Sequence, residues 1–236
     1  MRFLFFCIVW ALDSKLERAK MKKTMQKIAV GLVAILSLIL ALSGCGDDKQ
    51  VEKEAKEKKS EKFQPDSYYE NKSVQELESL CENNDFKACH KAGLEHQDIT
   101  KVVTLFDKSC NGGYGKGCIG LGLAYEDGGV KQDTQKTIAL YNKAIELGEN
   151  AGYYFLGYLY AAGDKVMRNY PKAFKYYQKG CEQEDTSSCF QVGYAYYTGN
   201  GVKQDFTKAK AFYSKACDLG EDLGCEGYRE LQQQGY

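Results

Sequence analysis

The sequence predicts an all-α solenoid of about five antiparallel helix pairs, stacked as a superhelix and stapled by disulfides inside the repeats. Three observations carry this. One unit recurs every 35 or 36 residues, helix start and stop signals recur within it, and eight of the ten cysteines fall into four pairs of one spacing.

The register is set by Asp98, Asp133, Asn169 and Asp205. Each precedes an amphipathic stretch, where its side-chain oxygen can accept from first-turn amides as an N-cap, and Pro171 falls in a first turn, where its missing N–H costs nothing. Lysines follow at Lys101, Lys136, Lys172 and Lys208, then aromatics at Phe106, Tyr141, Tyr177 and Tyr213. Small residues at Ser109, Ala144, Gly180 and Ala216 lie on the same stripe, where another backbone must come close. This is the first helix of each unit. The second carries Leu121-Gly122, Leu156-Gly157 and Val192-Gly193, with stops at Gly128, Gly163 and Gly199 that supply a left-handed residue beyond the last turn. The opening unit, from about Ser73 to His96, is short, and the closing one ends in the polar ELQQQGY, as terminal caps do.

Ahead of the repeats, Lys22, Lys23 and Lys27 precede an apolar run from Ile28 to Leu42 and then Ser43-Gly44-Cys45. This resembles a bacterial lipoprotein signal, which implies removal of residues 1–44, lipidation of Cys45 and anchoring in the cell envelope, periplasmic or outer-membrane, or secretion. The competing possibility is an uncleaved helix, since Ile28 to Gly46 is long enough to span a bilayer. Residues 1–20 fit neither a signal nor a repeat, which puts the expected start at Met21. Residues 46–66 hold thirteen charged side chains and only Val51 and Phe63 as large apolar ones, so 45–66 reads as a lipidated cysteine and solvated tether, with the repeat domain over 67–236.

Charge narrows the function. Through Cys45 the chain has seven basic and two acidic residues, leaving 32 − 7 = 25 basic against 32 − 2 = 30 acidic beyond it. A mildly acidic domain without a basic cluster has no means of displacing phosphate counterions, so nucleic acid is excluded as a partner.

The segments KAFYSKACDLGEDLGC and LGLAYEDGGVKQD resemble Sel1-like repeats, relatives of the tetratricopeptide repeat, and with their paired cysteines they resemble the Helicobacter cysteine-rich proteins. The resemblance spans nearly all of residues 67–236. It implies a protein- or peptide-binding scaffold with the first helices on the concave side. It also implies a rival, because members of the cysteine-rich family are described as penicillin-binding proteins or slow β-lactamases.

The paired cysteines are Cys81 with Cys89, Cys110 with Cys118, Cys181 with Cys189, and Cys217 with Cys225. Each pair joins the end of a first helix to the start of a second, positions that face each other across a hairpin turn. In the middle unit the same places hold Ile145 and Tyr153, so both cysteines are missing together. That joint absence, with an even count in an exported chain, predicts four local bridges rather than metal ligation.

Catalytic signatures are few. His90 and His96, six apart, read as ordinary surface residues, and the text Gly115 to Gly120 matches a dinucleotide fingerprint without the strand it requires. No Ser-x-x-Lys, Ser-Asp-Asn or Lys-Thr-Gly occurs, so no catalytic residue, metal site or cofactor is expected. What remains is a binding surface. Asp107, Asn142, Gln178 and Ser214 are polar and vary while their neighbours stay constant, which makes them the expected ligand-facing row. Lys108, Lys143, Lys179 and Lys215 form an adjacent row, expected mainly to be solvated.

Overall fold

The computed structural model describes residues 63–127 and 130–236; Cys45, the signal segment, most of the tether and the Gly128 stop lie outside the described residues. The described residues form ten α-helices and one short 3-10 turn, Asp66–Tyr68, with no strand among them. The helices are α1 (Val74–Glu82), α2 (Phe86–Glu95), α3 (Ile99–Asn111), α4 (Gly115–Asp127) and α5 (Thr134–Glu146), followed by α6 (Ala151–Ala162), α7 (Tyr170–Glu182), α8 (Thr186–Thr198), α9 (Phe206–Asp218) and α10 (Asp222–Gln233). Odd-numbered helices are first helices, even-numbered ones second helices, and each packs on its neighbours in sequence, as a solenoid requires.

The expected caps form. Asp98 accepts from the Thr100 amide, Asp133 from Lys136, Asn169 from Lys172 and Asp205 from Lys208. The opening helix α1 starts with a reciprocal capping box between Ser73 and Glu76. Gly163 and Gly199 end α6 and α8 with φ of 77° and 80°.

Every first helix closes on a left-handed residue in the turn to its partner, at Asn84, Gly113, Gly148, Glu184 and Gly220. Around it the amides fold back in one pattern, as where Glu184 donates to the Cys181 carbonyl and Asp185 to that of Gly180. This reversal brings the last turn of the first helix against the first turn of the second. There the four disulfides sit, at Cα separations of 4.4–4.6 Å, in the local pairing the spacing predicts. Small residues make the approach possible: a methyl group on Gly117 would lie 2.4 Å from Ser109 Oγ, and one on Gly180 2.2 Å from Ser188 Oγ.

Among the described residues, Phe63, Gln64 and Asp66, ahead of the expected domain start at Ser67, contact the first two units. Phe63 meets Tyr114 edge-on at 4.9 Å, Lys87 Nζ donates to the Gln64 carbonyl at 2.8 Å, and Asp66 pairs with Lys87 at 3.3 Å and Lys91 at 3.1 Å. Tyr69 is buried beneath them, its hydroxyl donating to Asp85 at 2.8 Å.

Candidate functional site

Most of the repeated rows are spent on holding the units together. From α3 onward, the buried aromatic of each first helix lies over the glycine of the preceding unit's second helix. A methyl group on Gly93, Gly122, Gly157 or Gly193 would fall 2.4–2.6 Å from the ring of Phe106, Tyr141, Tyr177 or Tyr213 respectively. Three of the four lysines of the first row meet the tyrosine that follows that glycine: Lys136 Nζ stands 4.1 Å from the Tyr125 ring centre, Lys172 3.9 Å from Tyr160 and Lys208 5.3 Å from Tyr196, while Lys101 pairs with Glu78 at 3.4 Å.

The second lysine row is not simply solvated. Lys143 donates to Asn111 Oδ1 at 2.8 Å and Lys215 to the Cys181 carbonyl at 2.9 Å. Both reach the C-terminal end of the preceding first helix, where the helix dipole favours a cation.

The expected ligand-facing row does run along the first helices beside the buried aromatics. Asp107 and Asn142 are exposed, Gln178 and Ser214 half-buried. Two of the four bond within their own helix: Asp107 accepts from Asn111 at 3.0 Å, and Asn142 donates to the Ile138 carbonyl at 2.8 Å. The row therefore ties no unit to its neighbour through these bonds.

A second surface lies on the even-numbered helices. Neither α6 (AGYYFLGYLYAA) nor α8 (TSSCFQVGYAYYT) contains a charged residue, yet Tyr158 is 49% exposed and Tyr194 45%. Tyr154 stacks beside Tyr158 at 6.4 Å and Phe190 beside Tyr194 at 6.5 Å, one turn apart on equivalent faces. Between α6, α7 and α8 is a cleft of about 60 Å³ lined by Ala161, Tyr170, Phe174, Tyr177, Gln191 and Tyr194, among others. Sequence reasoning missed this face because it attended to the constant Leu-Gly pair and not to the residues flanking it. The available signal was the charge-free composition of two consecutive second helices.

His90 departs from the expected surface placement. Its ring packs 5.6 Å from Phe106 and 5.4 Å from Tyr114, and its Nδ1 is buried with no hydrogen-bond partner. Burial, with help from Lys116 and Lys91, lowers its pKa to about 4. His96 instead meets Glu78 at 2.8 Å. Gly115 to Gly120 open α4, where a methyl on Gly117 or Gly120 would strike Ser109 or Phe106, so these glycines serve packing and not phosphate binding. Two serine hydroxyls are engaged locally, Ser73 Oγ with Glu76 in the α1 cap and Ser109 Oγ with the Phe86 carbonyl at 2.7 Å, whereas Ser188 Oγ is buried without a hydrogen-bond partner. Among the described residues no group of three or more His, Cys, Asp or Glu could hold a metal ion.

The family profile for the Sel1 repeat matches three consecutive blocks, residues 115–149, 150–185 and 186–221. Residues 115–221 are three consecutive Sel1 repeats. The Sel1 blocks begin at the second helix of one unit and end after the first helix of the next, so the family's repeat is phased on the helix pair that the glycine–aromatic contact joins. Among solved structures, a Sel1 repeat protein from Oxalobacter formigenes is 21% identical, with 69% of each chain covered and a TM-score of 0.62. A protective antigen of uropathogenic Escherichia coli strains, displaying an SLR fold, is 28% identical, with a TM-score of 0.57; it covers 66% of this chain, which spans only 35% of that one. Cysteine-rich protein B of Helicobacter pylori is 32% identical over 55% of this chain and 94% of its own, at a TM-score of 0.46. No curated protein matches the chain.

Proposed function

We propose that this Sel1-repeat protein is exported, lipid-anchored through Cys45, and binds a protein or peptide partner with its helical-repeat scaffold. One observation carries the binding part: two consecutive second helices, α6 and α8, hold no charge and leave Tyr158 and Tyr194 about half exposed beside an apolar cleft. A surface with no partner is normally dotted with charge, whereas interface cores are depleted of charge and enriched in tyrosine. The fold suits the role, since a stapled solenoid offers an extended face at little ordering cost.

Asp107, Asn142, Gln178 and Ser214 are proposed as a second ligand-facing row, on the first helices. The test is crosslinking of the lipidated protein in cells, followed by identification of what is joined to it. A partner held on the second helices is lost with Tyr158→Ala. One held on the first helices is lost with Asn142→Ala and Gln178→Ala together, at nearly unchanged thermal stability. Retention of every crosslink in both variants rejects both faces. For the anchor, Cys45→Ser should release the protein from membranes; wild-type protein that keeps its full precursor length and carries no lipid on Cys45 overturns that part.

A further inference from the structure

The second helices share one register, so equivalent positions can be compared along the solenoid. At the places of Phe190 and Tyr194 on α8, one period later, α10 presents Glu226 and Glu230, both exposed. One period earlier α6 presents Tyr154 and Tyr158, and at the start of the solenoid the equivalent places on α2 hold His90, which packs inward against Phe106 and Tyr114, and the exposed Leu94. The face is thus uncharged and aromatic in the third and fourth units and acidic in the fifth.

The first and last units differ in how their charges are paired. In the first unit Asp66 pairs with Lys87 and Lys91, at 3.3 and 3.1 Å. At the acidic end no described lysine or arginine pairs with Glu226 or Glu230 within 4.0 Å; Glu230 accepts from Gln234 Nε2 at 3.1 Å, and Arg229 turns back to donate to the Cys225 carbonyl of its own helix. Carboxylates also reach the aromatic centre. The Tyr154 phenol is pushed up by burial and, more weakly, by Tyr158, Asp185 and Glu221, and the Tyr213 phenol by burial, with Glu230 among its weaker contributors.

We propose that the face over α6, α8 and α10 binds a peptide segment in which apolar residues are followed by lysine or arginine. The apolar residues lie over Tyr154, Tyr158 and the cleft before Tyr194. The cations lie against the tyrosine faces at the edge of α8 and pair with Glu226 and Glu230. Charge complementarity sets the direction, because a segment laid the other way would bring cations to Lys116 on α4 and leave both carboxylates unpaired. This inference rests on the binding-scaffold reading and adds the chemistry of the partner and the end of the solenoid that reads it.

The test titrates full-length protein, all four bridges formed, with three labelled peptides of one design: leucines followed by lysines, by acetyl-lysines or by glutamates. Fluorescence polarisation reads the affinity. The lysine peptide should bind at least tenfold more tightly than either of the others. Glu226→Gln with Glu230→Gln should weaken it about fivefold and flatten its salt dependence. Tyr158→Ala should weaken it by a similar factor. The glutamine variant changes only exposed side chains, so its melting curve should match the wild type and its result stands if a tyrosine variant proves unstable. Equal binding of the three peptides, or unchanged lysine-peptide affinity in the glutamine variant, overturns the proposal. If that happens while cells still yield a crosslinked partner lost with Tyr158→Ala, the binding scaffold stands and only its cationic preference falls. If neither peptide nor partner is captured, both fall.

Discussion

Tyr141, on the first helix of the third unit, lies so close over Gly122, on the second helix of the second, that a methyl group there would stand 2.5 Å from its Cε1. The ring is fully buried and its hydroxyl donates to Glu126 Oε2 at 2.6 Å, so it cannot swing away. Gly122→Ala should therefore destabilise the protein. Overpacking of this kind costs about 1–3 kcal/mol, against up to about 1 kcal/mol gained from replacing glycine within a helix. Thermal and urea melts should show a net loss of about 1–2 kcal/mol, and Gly157→Ala beneath Tyr177 should behave alike. Melts equal to the wild type would show that the ring yields.

The middle hairpin lacks a staple but keeps the geometry of the others. Gly148 takes the left-handed position, and its amide donates to the Ile145 carbonyl at 2.8 Å, as the Glu184 amide does to Cys181 at 3.1 Å. Replacing Ile145 and Tyr153 together with cysteine should close a fifth bridge, seen by peptide mapping without reductant. Closing so short a loop contributes roughly 2.5 kcal/mol by chain entropy, less what is lost by removing two packed side chains. Two free thiols in the purified variant would show that the middle hairpin is splayed.

Glu184 adopts φ 60° where three of the other four hairpin turns use glycine. A left-handed conformation costs a residue with a Cβ about 1–2 kcal/mol, partly offset by glycine's greater freedom in the unfolded chain. Glu184→Gly is expected to raise stability by about 0.5–1 kcal/mol, and a lowered melting temperature would refute the backbone argument.

His90 should make the protein acid-sensitive. Its folded pKa of about 4 lies below the ordinary 6.5, so between those values the unfolded chain takes up a proton that the native state refuses. Stability is then full above about pH 6.5 and declines as pH falls toward 4, by up to roughly 3 kcal/mol from this residue. Urea midpoints across that range should show the slope, and His90→Phe should flatten it. An unchanged slope would assign acid sensitivity to other groups.

How much of this was legible in the sequence follows from the range of each interaction. Caps at Asp98, Asp133, Asn169 and Asp205, the stops at Gly163 and Gly199, and the four cysteine pairs are settled within a turn or a hairpin, so residue type and spacing determine them. The left-handed turn at Glu184 was not legible, since glutamate carries no signal for it and only the hairpin around it imposes the conformation. Nor were the partners of the repeated rows. Sequence showed a glycine row, an aromatic row and two lysine rows; the stacking angle between units decided that ring meets glycine, that Lys172 covers Tyr160, and that Lys215 caps the helix ending near Cys181. The same stacking buried His90 among Phe106 and Tyr114, and it aligned α6 and α8 so that Tyr158 and Tyr194 share one face. The sequence by itself determined the units, because their hydrogen bonds and bridges are local; only the tertiary structure decided the surfaces, because those depend on how one rigid hairpin is rotated against the next.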